Sequence, residues 1–131
     1  MALDKKAHHV ELFGAFGRDP VFCDADRAFA TVGDGAMFRI VLCHGPDGLV
    51  AARRHAFDFY VCGHTHGGQI AAPWGPIVLP KGEMARRIPS GFAQFDSAEV
   101  FVSRGVGTVD LPWRLFADPD VLVLDLERTT R

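Results

Sequence analysis

No run of apolar residues in this 131-residue chain approaches the roughly 20 that a membrane-crossing helix needs. The most continuous stretches, Phe57-Asp58-Phe59-Tyr60-Val61 and Val121-Leu122-Val123-Leu124, are only of strand length. An excess of charge of one sign is missing too. The formal net charge is -2, and the arginines cluster only as the pairs Arg53-Arg54 and Arg86-Arg87, which excludes a broad basic footprint for nucleic acid. Any phosphate-bearing ligand must then be held by local cations. Cysteine is sparse and odd in number, with Cys23, Cys43 and Cys62 and no Cys-x-x-Cys pair, so a disulfide framework is excluded. No N-terminal stretch joins a basic flank to a long apolar run. Together these absences predict a reduced, cytoplasmic setting, with any signal or anchor lying upstream of Met1.

What is present fits one globular domain. At 48% hydrophobic and 23% charged residues, the composition is that of a packed chain. Residues 10–16 read as a strand of pleat-fitting residues broken by Gly17 and Pro20. A helix follows, capped by Asp24, with Ala25, Ala28, Phe29 and Val32 as its apolar stripe and Gly33 at its end. Residues 38–43 are apolar on both faces and predict an interior strand. Asp47 is placed to cap a second short helix reaching about His55, before another buried strand over 57–62. Residues 71–89, rich in Pro and Gly, predict a long irregular excursion. Residues 92–95 and 99–103 predict a hairpin around Asp96-Ser97, residues 121–126 a last strand, and 127–131 a frayed tail.

Two of the apolar strands run directly into histidine: Leu42-Cys43-His44-Gly45-Pro46-Asp47, and Val61-Cys62-Gly63-His64-Thr65-His66-Gly67-Gly68. Loops at the ends of interior strands are where α/β folds place ligands, and imidazole is a general ligand for transition metals. His64 and His66 between glycines, joined to His44 at a second strand end, therefore predict a metal site. His8, His9 and His55 carry no such context and read as hydrogen-bonded structural histidines. Cys43 and Cys62 read as small core residues, with a structural Cys/His zinc site as the competing reading.

The order of His44-Gly45-Pro46-Asp47, Gly63-His64-Thr65-His66-Gly67-Gly68-Gln69-Ile70, Ser103-Arg104-Gly105-Val106-Gly107-Thr108 and Leu111-Pro112-Trp113-Arg114-Leu115-Phe116 resembles the calcineurin-like metallophosphoesterases, in particular their bacterial YaeI/YkuE-like phosphodiesterase branch. The resemblance implies an α/β (α+β mixed) fold, with residues 1–131 forming the C-terminal half of a four-layer αββα sandwich. It implies a phosphate-ester substrate and two divalent metal ions (Mn, Fe, Zn or Ni). His44 and His64 would hold one ion and His66 the other, with Arg104, Gly105 and Gly107 shaping the loop near the phosphate. Gly105 to Thr108 reads equally as an anion-binding turn and as an ordinary tight turn.

The family's upstream signatures, Asp-x-His, Gly-Asp-x-x-Asp and Gly-Asn-His-Asp/Glu, are not found before His44, and Gly33-Asp34-Gly35 is better read as a turn. Three neutral imidazoles do not compensate two dications, so the expectation is a metallophosphoesterase that is weakly active or inactive as this chain alone. Its partners would be a missing N-terminal half or further copies of itself, drawn to apolar faces left open at 38–42 and 121–126. The alternative is a non-catalytic metal-binding or interaction module derived from the same fold.

Overall fold

A computed structural model describes residues 2–3, 10–15, 24–30, 32 and 38–128. A two-residue strand β1 (Ala2–Leu3) precedes β2 (Val10–Ala15), and helix α1 (Ala25–Phe29) leads to β3 (Phe38–Cys43). A 3-10 turn at Pro46–Gly48 runs into α2 (Leu49–Ala52), followed by β4 (Phe59–Cys62) and a second 3-10 turn at His66–Gly68. The short pair β5 (Ala71–Ala72) and β6 (Gly75–Pro76) comes next, then α3 (Glu83–Arg87), β7 (Gly91–Phe95), β8 (Ala98–Val102) and β9 (Glu127–Arg128).

The main sheet has the order β2-β3-β4-β8-β7, in which β2, β3, β4 and β8 run parallel and β7 closes the edge antiparallel to β8. It is a mixed α/β architecture with few helices. Alternation along each strand sends side chains to opposite faces. On one face Val41, Tyr60, Cys62, Val100 and Val102 join Leu49, Ala52 and Met84 from the helical side, with Phe29 and Val32 packed against them. On the other, Phe38, Ile40, Phe59 and Phe101 form a smaller cluster reached by Val61 and Leu122. This second face is only partly covered, with Leu42 40% exposed and Phe92 67% exposed.

The Asp24 cap is present, its carboxylate accepting from the Arg27 N–H at 2.9 Å, and α1 stops at Phe29. Gly33, the Gly33-Asp34-Gly35 turn, His8, His9 and Cys23 lie outside the described residues. Strand β4 begins at Phe59 rather than Phe57. The expected hairpin around Asp96-Ser97 is formed by β7 and β8.

Three expectations are corrected. Asp47 does not cap α2, whose start has no side-chain cap. Its Oδ1 instead accepts from the Met84 N–H at 3.1 Å in the first turn of α3, a partner 37 residues away that no local pattern announces. The stretch 71–89 is not irregular throughout, since it holds the β5–β6 pair and α3. Residues 121–126 form no strand: only Leu122 reaches the sheet face, while Val121 and Val123 are 74% and 77% exposed and no described strand lies beside them. Of the apolar faces expected to be open, Leu42 and residues 121–126 largely are, whereas Phe38 and Ile40 are buried.

Candidate metal centre at the strand ends

Because β3, β4 and β8 are parallel neighbours, the loops that leave them emerge at one edge of the sheet. The backbone ladder continues past the strand ends, with the Gly63 N–H donating to His44 O at 3.1 Å and the Ser103 N–H to Cys62 O at 2.7 Å. His44, Gly63 and Ser103 are therefore in register side by side. The buried Tyr60 hydroxyl donates to Gly45 O at 2.9 Å and pins the first of these loops from below.

His44 and His64 are brought together: His44 Nε2 lies 2.9 Å from His64 Nδ1, with ring centroids 4.7 Å apart. This is the spacing of an imidazole–imidazole hydrogen bond, and also that of two nitrogens held at right angles about 2.0–2.1 Å from one metal, whereas a tetrahedral ion would set them roughly 3.3 Å apart. His66 takes another direction at its Nδ1, which lies 3.2 Å from Gly107 O and 3.3 Å from Arg114 Nη2. Among the described residues no three His, Cys, Asp or Glu side chains converge on a single point suited to an ion. The described residues thus supply at most part of a coordination sphere, one imidazole pair with no carboxylate beside it.

The turn that carries these rings is strained and clamped. His64 and His66 have φ of +73° and +52°, a region costly for residues with a Cβ and found where surrounding structure enforces it. The enforcing group is Thr65, 6% exposed, whose Oγ1 donates to Pro89 O at 2.6 Å and accepts from the Gly67 N–H at 3.2 Å. Gly68, at φ +78°, passes so close to the β5–β6 pair that a Cβ there would stand 2.3 Å from Pro76 Cβ.

The loop after β8 is organised around an internal anion. Asp120 Oδ1 accepts from Ser103 Oγ at 2.5 Å, the Arg104 N–H at 3.0 Å and the Gly105 N–H at 3.3 Å. The Arg104 side chain also turns this way, with Nε 3.8 Å from Asp120 Oδ2 and Nη1 donating to Asp118 O at 3.2 Å. The N–H groups at the start of the glycine turn are thus already engaged by a carboxylate. Gly107 offers its carbonyl, not its N–H, to the neighbouring side chains.

Two residues of the site carry no role in the sequence reading. Arg114 extends its guanidinium among backbone carbonyls, including Ala117 O at 2.8 Å, Arg104 O at 2.8 Å and Gly105 O at 3.0 Å, and makes a short contact with Gly107 O. Gln69 binds the same loop from the other side, donating to Val109 O at 2.9 Å and Leu111 O at 2.8 Å and accepting from the Val109 N–H at 2.6 Å. Both stand in the quoted motifs. Their partners are 40 or more residues away for Gln69 and for the contact to His66, so no local periodicity signals them.

His55 is structural as expected, 2.8 Å from Asp26 Oδ1 and stacked on Phe29 at 4.3 Å. Cys43 is half-buried and Cys62 buried. Burial pushes the Cys62 thiol up, reinforced by Cys43 and Asp47.

Histidines on neighbouring loops at one edge of a mixed sheet make this edge the candidate site, and sequence comparison shows the class that the chain is similar to, the metallophosphoesterases. The chain is 36% identical over 94 residues to an uncharacterized metallophosphoesterase of Bacillus subtilis, YkuE, covering 71% of this chain and 32% of YkuE. It is 31% identical over 127 residues to phosphodiesterase YaeI of Escherichia coli, covering 85% of this chain and 46% of YaeI. A third relative, the uncharacterized protein YpbG of B. subtilis, is 30% identical over 95 residues, covering 71% of this chain and 33% of YpbG. The chain spans between about a third and a half of the length of these curated relatives. No family model and no solved structure matches it.

Proposed function

We propose that this chain supplies the histidine-bearing part of a two-metal centre that hydrolyses phosphate esters, phosphodiesters or phosphomonoesters. The observation that carries the reading is the 2.9 Å approach of His44 Nε2 to His64 Nδ1 on neighbouring parallel-strand loops. It is joined by the similarity to a metallophosphoesterase and a phosphodiesterase. His44 and His64 hold one cation as a nitrogen pair. His66 holds the other through the nitrogen not turned to Gly107. When bound, such cations activate water and neutralise charge developing on the phosphoryl oxygens.

The remaining roles belong to the protein's own groups. Thr65 fixes the His64–His66 turn, Tyr60 fixes Gly45 beside it, and Asp120 fixes the loop that carries Arg104, Gly105 and Gly107. The partly covered sheet face is where the second sheet of a four-layer αββα sandwich packs, and that additional polypeptide contributes the carboxylates that three imidazoles lack. Residues 1–131 are on this reading one part of a cytoplasmic phosphoesterase domain, weak or inactive by itself. The metal is Mn, Fe, Zn or Ni according to supply.

Calorimetric titration of the chain with Mn²⁺ and Zn²⁺ tests the reading. Binding abolished in His64→Ala is expected, and a chain that takes up neither cation sinks it. A chromogenic phosphodiester assayed with Mn²⁺ should show little turnover, and robust turnover dependent on His66 overturns the view that the chain is incomplete alone.

A further inference from the structure

We propose that the exposed apolar layer formed by residues 69–79 and 111–116 is a surface that seats the protein on an anionic lipid membrane. Two loops are knit into this layer by their backbones. Ile70 O accepts from the Ile77 N–H at 3.0 Å and the Val78 N–H at 3.2 Å, while the Leu115 N–H donates to Gln69 O at 3.0 Å and the Ala71 N–H to Leu115 O at 2.8 Å. The β5–β6 hairpin and the segment around Leu115 therefore lie side by side. The Gln69 N–H, donating to His66 O at 2.9 Å, ties them to the end of the histidine turn.

From the hairpin, Trp74, Ile77, Val78 and Leu79 stand in solvent, with Trp74 at the tip 88% exposed. From the neighbouring segment Trp113, Leu115 and Phe116 do the same, Trp113 being 66% exposed. Seven large apolar side chains on one knit layer exceed the scattered single residues that a water-facing surface normally carries.

The chemistry of the layer selects a lipid interface over a protein groove. A protein partner is met by a hydrogen bond for about every 100–200 Å² of contact, and this layer has few polar groups left to offer. Pro73, Pro76, Pro80 and Pro112 have no N–H, the backbone groups named above bond to one another, and the Gln69 amide is engaged by Val109 and Leu111. A backbone satisfied internally is what an apolar phase requires. Indole suits the boundary beneath the headgroups, with an apolar body and one N–H for the wet side. Charge agrees with this. Within residues 69–81 and 104–116 the one acid is Asp110, against Lys81, Arg104 and Arg114. Arg104 is offset by Asp120, but no ion pair to Lys81 or Arg114 forms among the described residues. These segments thus keep a cationic excess in a chain of net charge -2, complementary to anionic headgroups. The layer uses none of His44, His64 and His66, so the inference goes beyond the metal reading and stands or falls apart from it.

Trp74 and Trp113 are the two tryptophans of the chain, so all indole emission reports from the layer. The test mixes the full chain with vesicles of equimolar phosphatidylcholine and phosphatidylglycerol and follows emission and flotation in a sucrose gradient. A blue shift and co-flotation are expected, both weakened by salt and by omitting phosphatidylglycerol. Trp74→Ser and Trp113→Ser should each lower partitioning at least about tenfold while keeping the wild-type urea midpoint, because both side chains are exposed. Phe92→Ser, on the partly covered sheet face, should partition as the wild type does. Absence of both blue shift and flotation overturns the proposal. So does flotation that ignores both tryptophan variants, or that Phe92→Ser abolishes, since the lipid then contacts another surface. A dimer in sedimentation that ignores vesicles, has its emission already blue-shifted and is dissociated by Trp113→Ser assigns the layer to a second copy of the chain and overturns it equally.

Discussion

Asp47 and Gly82 meet so closely that a Cβ on Gly82 would stand 1.9 Å from Asp47 Oδ2. The two belong to different loops, and their contact places the start of α3 against the turn that follows His44. Gly82 also has φ of +107°, a conformation that side chains rarely adopt. Gly82→Ala is therefore expected to lose at least about 2 kcal/mol of stability, read as a lower urea midpoint. Asp47→Ala alone should cost about 1 kcal/mol through the lost bond to the Met84 N–H. Because removing the carboxylate also removes the clash, the double variant should be less destabilised than the sum of the two. Strict additivity would show that the contact is absent.

Removing one ring of the nitrogen pair should be felt by cations and hardly by the fold. His44 is exposed and His64 half-buried, so His44→Ala should leave the unfolding midpoint within about 0.5 kcal/mol of the wild type. Zn²⁺ affinity should fall at least about tenfold. Unchanged affinity in both His44→Ala and His64→Ala places any bound cation elsewhere.

Tyr60→Phe leaves the buried Gly45 carbonyl without its 2.9 Å donor while keeping the ring's volume. A cost of about 1–3 kcal/mol is expected, since an unpaired buried acceptor retains its full desolvation penalty. Zn²⁺ binding should weaken as well, because Gly45 directly follows His44. A variant as stable as the wild type would show that water replaces the hydroxyl.

The Cys62 thiol offers a pH test. Its ordinary value is 9.0, and burial raises it far above that in the folded protein, with Cys43 and Asp47 adding to the effect. The folded state therefore holds its proton where the unfolded chain begins to lose it. Below pH 9 the two states are alike at this group and stability is unaffected. As pH rises through 9 and beyond, unfolding becomes easier, by up to about 1.4 kcal/mol per pH unit. Denaturation midpoints measured on either side of that pH in wild type and Cys62→Ala check it, since the alanine variant should lack this part of the slope. At neutral pH Cys62 should react with a thiol reagent only after unfolding.

The five strands of the main sheet and both histidine loops were legible in the sequence because their signals are local. Apolar runs that end in Cys43-His44 and in Cys62-Gly63-His64 announce strand and loop together, and β3 spans the six residues expected. Asp24 capped as read, its partner being only three residues away. Asp47 was misassigned for the opposite reason: the same capping chemistry acts across 37 residues, and a short polar side chain in sequence does not say which helix it serves. Residues 121–126 have a strand's length and apolar run, yet pairing needs a neighbouring strand, which lies beyond anything their own pattern encodes. Arg114 and Gln69 were hidden in the same way, as loop residues whose importance consists of carbonyls gathered from distant turns.

The carboxylate of Asp120 lodged in the turn after β8 has an outcome for the phosphate ester proposed above as substrate. A turn that already encloses a covalently tethered counter-ion has its shape before a ligand arrives. An incoming phosphoryl group would then meet a preformed wall rather than a loop that must wrap around it, and little ordering entropy is left to be lost at that wall when it docks.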